Sequence, residues 1–393
     1  MRMRPTRAGN IGPWQQITAS AVIVVLLGAL GTACSTAPER APSTSTATAT
    51  AKVARAVDGF LESTPHSSRI RAILVEQDGH LVFEHYYQST ADDSRSVASV
   101  TKSFVFTLVG IALADGHLRS LDEPLSELLP ERAPTMSPAV AGVTLRQLLT
   151  MTAGFGSPQQ ADMTVFVPAD DPAGTILANP AGPPGREFAY SDGGAHLLSV
   201  ILERALGGSL LDYARTTLFD PLDIPTRPAY EAPFDFSDTT AYKSADFAWP
   251  TDSAGNHLGF AHLKLRPCDM LRLGELYLNG GVWKGKRLVP AEWVAAATVR
   301  QVEEPGRTDG GYGYGWWIEN ADGAPGYSAM GFGGQVIEVV PERRLVVVVS
   351  TDFDLTNFTD YGIPGSDIAA FVDKEIAPAL RDSTSTAATQ SSP

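Results

Sequence analysis

This sequence is poor in cysteine, in histidine and in positive charge. It has two cysteines (Cys34 and Cys268), seven histidines, and 30 Lys and Arg against 44 Asp and Glu, for a net charge of −14 over 393 residues. Each shortage excludes something. Two cysteines with no C-x-x-C pair, and histidines with no clustering, offer no metal-ligand spacing. The acidic balance repels phosphate backbones and argues against a nucleic-acid partner. There is no G-x-S-x-G, so a strand-to-helix nucleophile elbow is excluded. The apolar run Ala19–Ala33 is shorter than the roughly 20 residues that span a bilayer. What remains is 44% apolar and 8% aromatic, enough for a sizeable core in one large domain or two intertwined ones.

The N-terminal run has the anatomy of an export signal. Arg2, Arg4 and Arg7 precede it, and small residues end it at Ala33. Leu30–Cys34 resembles a lipoprotein processing box, which predicts residues 1–34 as a signal with Cys34 as the lipidated first mature residue. The expected product is exported, and held on the outer face of a membrane or secreted. A lipid on Cys34 leaves Cys268 without an intramolecular partner, as either a small buried hydrophobe or a reactive thiol. Residues 35–52, rich in Ser, Thr, Ala and Pro, read as a flexible linker, and 381–393 as a disordered tail. The folded part is then 53–380.

Within it, a short helix is expected at 53–61. Two β-rich runs, 69–87, are joined by Asp78-Gly79, a hairpin signal. Helices are read at 99–114, 143–151, 193–206, 267–278, 290–300 and 363–380, and a long loop at 155–189. Strands are read at 312–319, 327–340 and 345–351. Strands at both ends and helices between predict an α/β fold of the α+β type. Its antiparallel sheet (about 53–95 and 305–380) is flanked by helices, with a helical part (about 96–300) inserted.

One stretch invites chemistry. In SVASVTKSF, Ser99 and Lys102 stand at i and i+3, on one face of a helix whose next residues, Phe104–Val109, are apolar apart from Thr107. Ser99 would sit at the helix start, where the dipole favours developing negative charge. A lysine in apolar surroundings is pushed toward its neutral, proton-accepting form. The same residues could equally be an N-cap serine and a solvated lysine.

Five stretches in order carry a family resemblance: SVTKSF, SLDEPLSELLPE (120–131), VTLRQLLTMTAG (143–154), PPGREFAYSDGGAHLLSVILERALG (183–207) and LNGGVWKGKRLVPAEWV (278–294). The chain resembles the class C β-lactamase-like serine hydrolase superfamily over about 55–355, closest to the branch of 6-aminohexanoate-dimer hydrolases and family VIII esterases. The resemblance implies a β-lactamase/transpeptidase-like fold and an acyl-enzyme on Ser99. It implies Lys102 as base and Tyr190 as second acid/base, with a phenol acidified by the lysine. Asp192 stands where the family has Asn. Ala329-Met330-Gly331 stands where lactamases and peptidases carry Lys-Thr-Gly, so the carboxylate-binding lysine is missing. The backbone N–H groups of Ser99 and Phe332 become the oxyanion donors. Asp192, Gly331, Gly333 and Phe155 are candidate substrate contacts. No metal or cofactor is implied. The expected partner is a small ester or amide. A DD-peptidase or weak β-lactamase acting on cell-wall peptides, and a non-catalytic sensor of the same fold, are the alternatives. His196 reads as packed or solvent-facing, His257 and His262 as possible substrate contacts. Of Trp316 and Trp317, one faces the core and the other a pocket.

Overall fold

The computed structural model describes residues 44–155, 163–185, 187–305, 310–321, 324–357 and 359–380. The expected export signal, the expected lipidation site Cys34 and the expected tail after 380 lie outside the described residues.

The centre is a seven-stranded antiparallel sheet. Its strands are β1 (Ile70–Gln77), β2 (His80–Tyr86), β3 (Gly311–Tyr312), β4 (Trp317–Ala321), β5 (Ala324–Gly331), β6 (Gln335–Val340) and β7 (Leu345–Thr351), in the spatial order β2-β1-β7-β6-β5-β4-β3. Both ends of the described chain therefore build it. β1 pairs with β7 in the register Val75↔Val347. The β1–β2 turn at Asp78-Gly79 has positive φ at both residues (54° and 76°), the geometry an Asp-Gly pair tolerates.

β7 is buried along its whole length because both sheet faces are covered. Val347 and Val349 join Ile73 and Val75 on one face, under helix α1 (Thr44–Ser63) and the C-terminal helix α5 (Gly365–Phe371, continuing to Leu380). Val346 and Val348 join Ala72 and Leu74 on the other, with α2 (Val100–Ala114), α3 (Asp192–Leu206) and α4 (Pro267–Leu278). α2 is buried from Val100 to Ala112, all round its axis. Phe104, Val105 and Phe106 are fully buried, each contributing about 1.5–3 kcal/mol of burial. That anchors α2 in the core, with Ser99 half-buried at its N-terminus.

Several expectations change. α1 begins at Thr44, so residues 44–52 are helical rather than part of a flexible linker. Ala49 packs with Val53 and Val57 at a spacing of four. The stretch 155–189 contains two short helices, Met163–Phe166 and Pro172–Ala178. The expected strand 327–340 is two strands, split at Gly333 and Gly334 (φ 81° and 102°), which turn the chain between β5 and β6. The 312–319 run is likewise interrupted between β3 and β4. Cys268 is buried but disulfide-bonded, so it is neither a free hydrophobe nor a reactive thiol. Among the described residues no helix is long and apolar enough to cross a membrane.

Candidate active site

Ser99 stands at the N-terminus of α2, but its side chain does not cap the helix. The hydroxyl is left for other partners. Lys102 Nζ donates to Ser99 Oγ at 3.1 Å, and Ser99 is near enough to the Tyr190 phenol to favour its ionised form slightly. The turn that presents Ser99 is strained. Ala98 has φ 46°, a left-handed conformation that costs a non-glycine residue about 1–2 kcal/mol. Neighbours hold it there: Thr101 Oγ1 donates to the Ala98 carbonyl at 2.7 Å, and Val97 N to the Leu263 carbonyl at 2.9 Å.

Lys102 is 1% exposed, in the apolar setting its sequence implies. It is not alone there. Asp192 Oδ1 accepts from its Nζ at 2.7 Å and the Phe260 carbonyl at 3.0 Å. The Tyr190 ring lies 4.6 Å from Nζ, centroid to nitrogen. The Asp192 carboxylate therefore opposes the desolvation that favours a neutral amine. Asp192 opens α3, where Ser191 caps the helix through Gly194 N. The position that departs from the family Asn thus supplies the lysine's counter-charge. Tyr190 differs from expectation too. Desolvation raises its phenol above the ordinary tyrosine range and the Asp192 charge adds to this, outweighing the effect of Ser99. The phenol is neutral, not acidified. Its ring stacks on Trp317 (centroids 5.6 Å apart, 18°) and meets Tyr312 edge-on. Trp316 is fully buried against Tyr277 and Tyr327, and Trp317, half-buried, packs against the same core.

Ser99, Asp192, Met163, His262, Phe332 and Phe353 line a cavity of about 30 Å³. Ser99 and Phe332 are thus brought together. Gly331 is required for a different reason than substrate approach. A Cβ there would come within 2.5 Å of the Val97 carbonyl, so the end of β5 packs on the turn before Ser99. At Gly333 a Cβ would strike Phe353. Phe155 is a core residue, 4% exposed, and does not line the cavity. Ala329, at the position of the family lysine, is buried, and no lysine or arginine lines the cavity. A larger cavity of about 620 Å³, with Arg71, Arg95 and Lys264 in its walls, shares Phe353 with this one.

His196 is fully buried and pairs with Asp252 through Nε2 (3.0 Å), so it faces neither solvent nor Ser99. His257 is held by Glu203 (2.6 Å) and does not line the cavity; His262 does. Sequence reasoning had no access to the Phe260 carbonyl, a backbone group 158 positions from Lys102. Among the described residues no group of three His, Cys, Asp or Glu is placed to hold a metal ion.

Comparison with known proteins places this geometry in context. The β-lactamase family model matches residues 55–362. The chain is 26% identical over 301 residues to a 6-aminohexanoate-dimer hydrolase of Paenarthrobacter ureafaciens (70% of this chain, 71% of that one). It is 28% identical over 297 residues to penicillin-binding protein 4 of Amycolatopsis lactamdurans (69% and 76%). Among solved structures, a family VIII carboxylesterase has the same fold, with a TM-score of 0.63 at 17% identity, covering 85% of this chain and 97% of that one.

Proposed function

The chain belongs to the β-lactamase family and is a serine hydrolase of that fold, and from this premise we propose that it cleaves a small ester or amide through an acyl-enzyme on Ser99. One observation carries the reading: a buried lysine amine 3.1 Å from a serine hydroxyl at the head of a buried helix, with the Tyr190 ring 4.6 Å from that amine. Ser99 Oγ attacks the substrate carbonyl and gives its proton to the Lys102–Tyr190 pair. Lys102 acts as a base once its ammonium has lost a proton to solvent, a loss that the Asp192 carboxylate 2.7 Å away opposes. The N–H groups of Ser99 and Phe332 hold the oxyanion, worth about 3–4 kcal/mol per donor. Tyr190 returns the proton to the leaving group, and water then attacks the acyl-enzyme. Asp192 acts on Lys102 rather than on substrate.

A second reading, action on β-lactams or peptide C-termini, draws on the likeness to a penicillin-binding protein. Against it stands the uncharged Ala329 and a cavity without a cation for the substrate carboxylate. The full chain and Ser99→Ala, assayed on p-nitrophenyl butyrate, 6-aminohexanoate dimer and nitrocefin, separate the two. The expected result is turnover of an ester or the dimer that falls by about 10³-fold or more in Ser99→Ala. Turnover of nitrocefin alone would favour the second reading.

Export is proposed from the basic N-terminus and the apolar run, and a lipid anchor at Cys34 from the processing box, the anchor requiring a Cys268 that is not bonded to Cys34.

A further inference from the structure

The mechanism above leaves one buried polar side chain unused. His262 is 1% exposed, and neither ring nitrogen has a hydrogen-bond partner. Its backbone is left-handed, with φ 68°. Two unfavourable features thus coincide at one residue, which also lines the Ser99 cavity. Such features gather where function holds them in place.

The ring is boxed by aromatic groups. Phe234 stacks on it at 4.0 Å and 13°, and Tyr242 and Phe260 stand edge-on at 6.2 and 6.3 Å. Tyr242 donates its hydroxyl to the His262 carbonyl at 3.1 Å, fixing the backbone. These neighbours offer the ring nitrogens no acceptor or donor, so the cavity is where a partner can come from. Burial, together with the charge of Lys102, pushes the imidazole down to about 3, so the ring is neutral at working pH, with one donor and one acceptor nitrogen. The other cavity walls are largely apolar: Met163, Phe332 and Phe353. Asp192, the remaining polar wall besides Ser99, is already committed to Lys102. A volume of about 30 Å³ holds roughly two water-sized groups. That suits a short acyl chain, which stays bonded to Ser99, and not a leaving group, which must depart.

We infer that His262 is a specificity-determining residue: its imidazole hydrogen-bonds a small neutral polar substituent, such as a hydroxyl, on a short acyl chain carried by Ser99. The inference rests on the serine-hydrolase reading and narrows its substrate class. A site built to pair a polar group discriminates strongly against the analogue lacking it, because its own polar atom is then left unpaired.

The test compares p-nitrophenyl 3-hydroxybutyrate with p-nitrophenyl butyrate, which differ by one oxygen. The full chain is expected to favour the hydroxy ester about tenfold or more in kcat/KM. In His262→Leu the ratio should fall to about one, because the hydroxy ester loses its advantage over butyrate. His262→Asn, a residue that accepts left-handed backbone and keeps a donor and an acceptor, should retain the preference. Ser99-dependent turnover of both esters at equal rates in the wild type overturns the inference and leaves the hydrolase reading standing. So does a preference that survives in His262→Leu. If that variant does not fold, the wild-type ratio and His262→Asn decide. Absence of any fluorophosphonate label on wild-type Ser99 would overturn the hydrolase reading itself, and this inference with it.

Discussion

Asp192 is the residue on which the chemistry of this site turns. In the proposed mechanism its carboxylate, 2.7 Å from Lys102 Nζ, stabilises the ammonium that must lose a proton before Ser99 is activated. Replacing it by the family's Asn removes that stabilisation. Asp192→Asn is therefore expected to move the acidic limb of the kcat/KM profile to lower pH by about one unit or more, read from p-nitrophenyl ester hydrolysis between pH 4 and 9. An unmoved limb would show that Asp192 does not set the protonation of Lys102. At this scale the sequence was informative where spacing is local. Ser99 and Lys102 sit one helical turn apart, so spacing alone could pair them, whereas Tyr190, far along the chain, was joined to them only by the family resemblance. It was silent where partners come from far along the chain. The Phe260 carbonyl reaches the site only through the course of the chain between α3 and α4, a stretch where the sequence marked His262, now on the cavity wall, only as a possible substrate contact. The neutrality of the Tyr190 phenol depends on desolvation, which spacing does not encode.

Between elements, one contact is tuned to pH. Glu76 on β1 is 5% exposed and hydrogen-bonded to Glu275 on α4. Burial, then the Glu275 hydrogen bond and its negative charge, push Glu76 up to about 9 from the usual 4.5, with Arg344 opposing. The native state thus keeps a proton that the unfolded chain releases. This contribution to stability is full below about pH 4.5 and is lost as pH rises toward 9. Wild-type Tm should decline across pH 5–9. Glu76→Gln, neutral and still able to donate to Glu275, should flatten the decline and exceed wild type at pH 9 by about 1 kcal/mol or more. Parallel curves for the two proteins would contradict this. Element boundaries were legible where turn chemistry is strong, as at Asp78-Gly79 and Gly207, the left-handed cap of α3. They were missed where composition misled. Residues 44–52 are polar and Ala-rich, yet Ala49 continues the buried stripe of Val53 and Val57. GFGG within 327–340 reads as a soft spot in one strand, whereas its positive-φ glycines reverse the chain.

For the molecule as a whole, the order of strands, helices and strands made the central antiparallel sheet, built from strands early and late in the chain, legible in the sequence. The fate of the two cysteines was not. With Cys34 the one other cysteine in the sequence, a thioether lipid there and a disulfide at Cys268 exclude each other. Denaturing alkylation of membrane-extracted protein should modify one thiol if Cys34 is lipidated. It should modify none if Cys268 remains in an intramolecular disulfide. Cys34→Ser should release the protein from the membrane fraction in the first case.

The central claim is that Ser99 carries the acyl group. Its most direct test is intact-mass and peptide analysis after brief exposure of the full chain to p-nitrophenyl butyrate and to a fluorophosphonate. A single adduct on the peptide bearing Ser99, absent in Ser99→Ala and slowed in Lys102→Ala, is the predicted result. An adduct on another residue, or turnover that persists in Ser99→Ala, would contradict it.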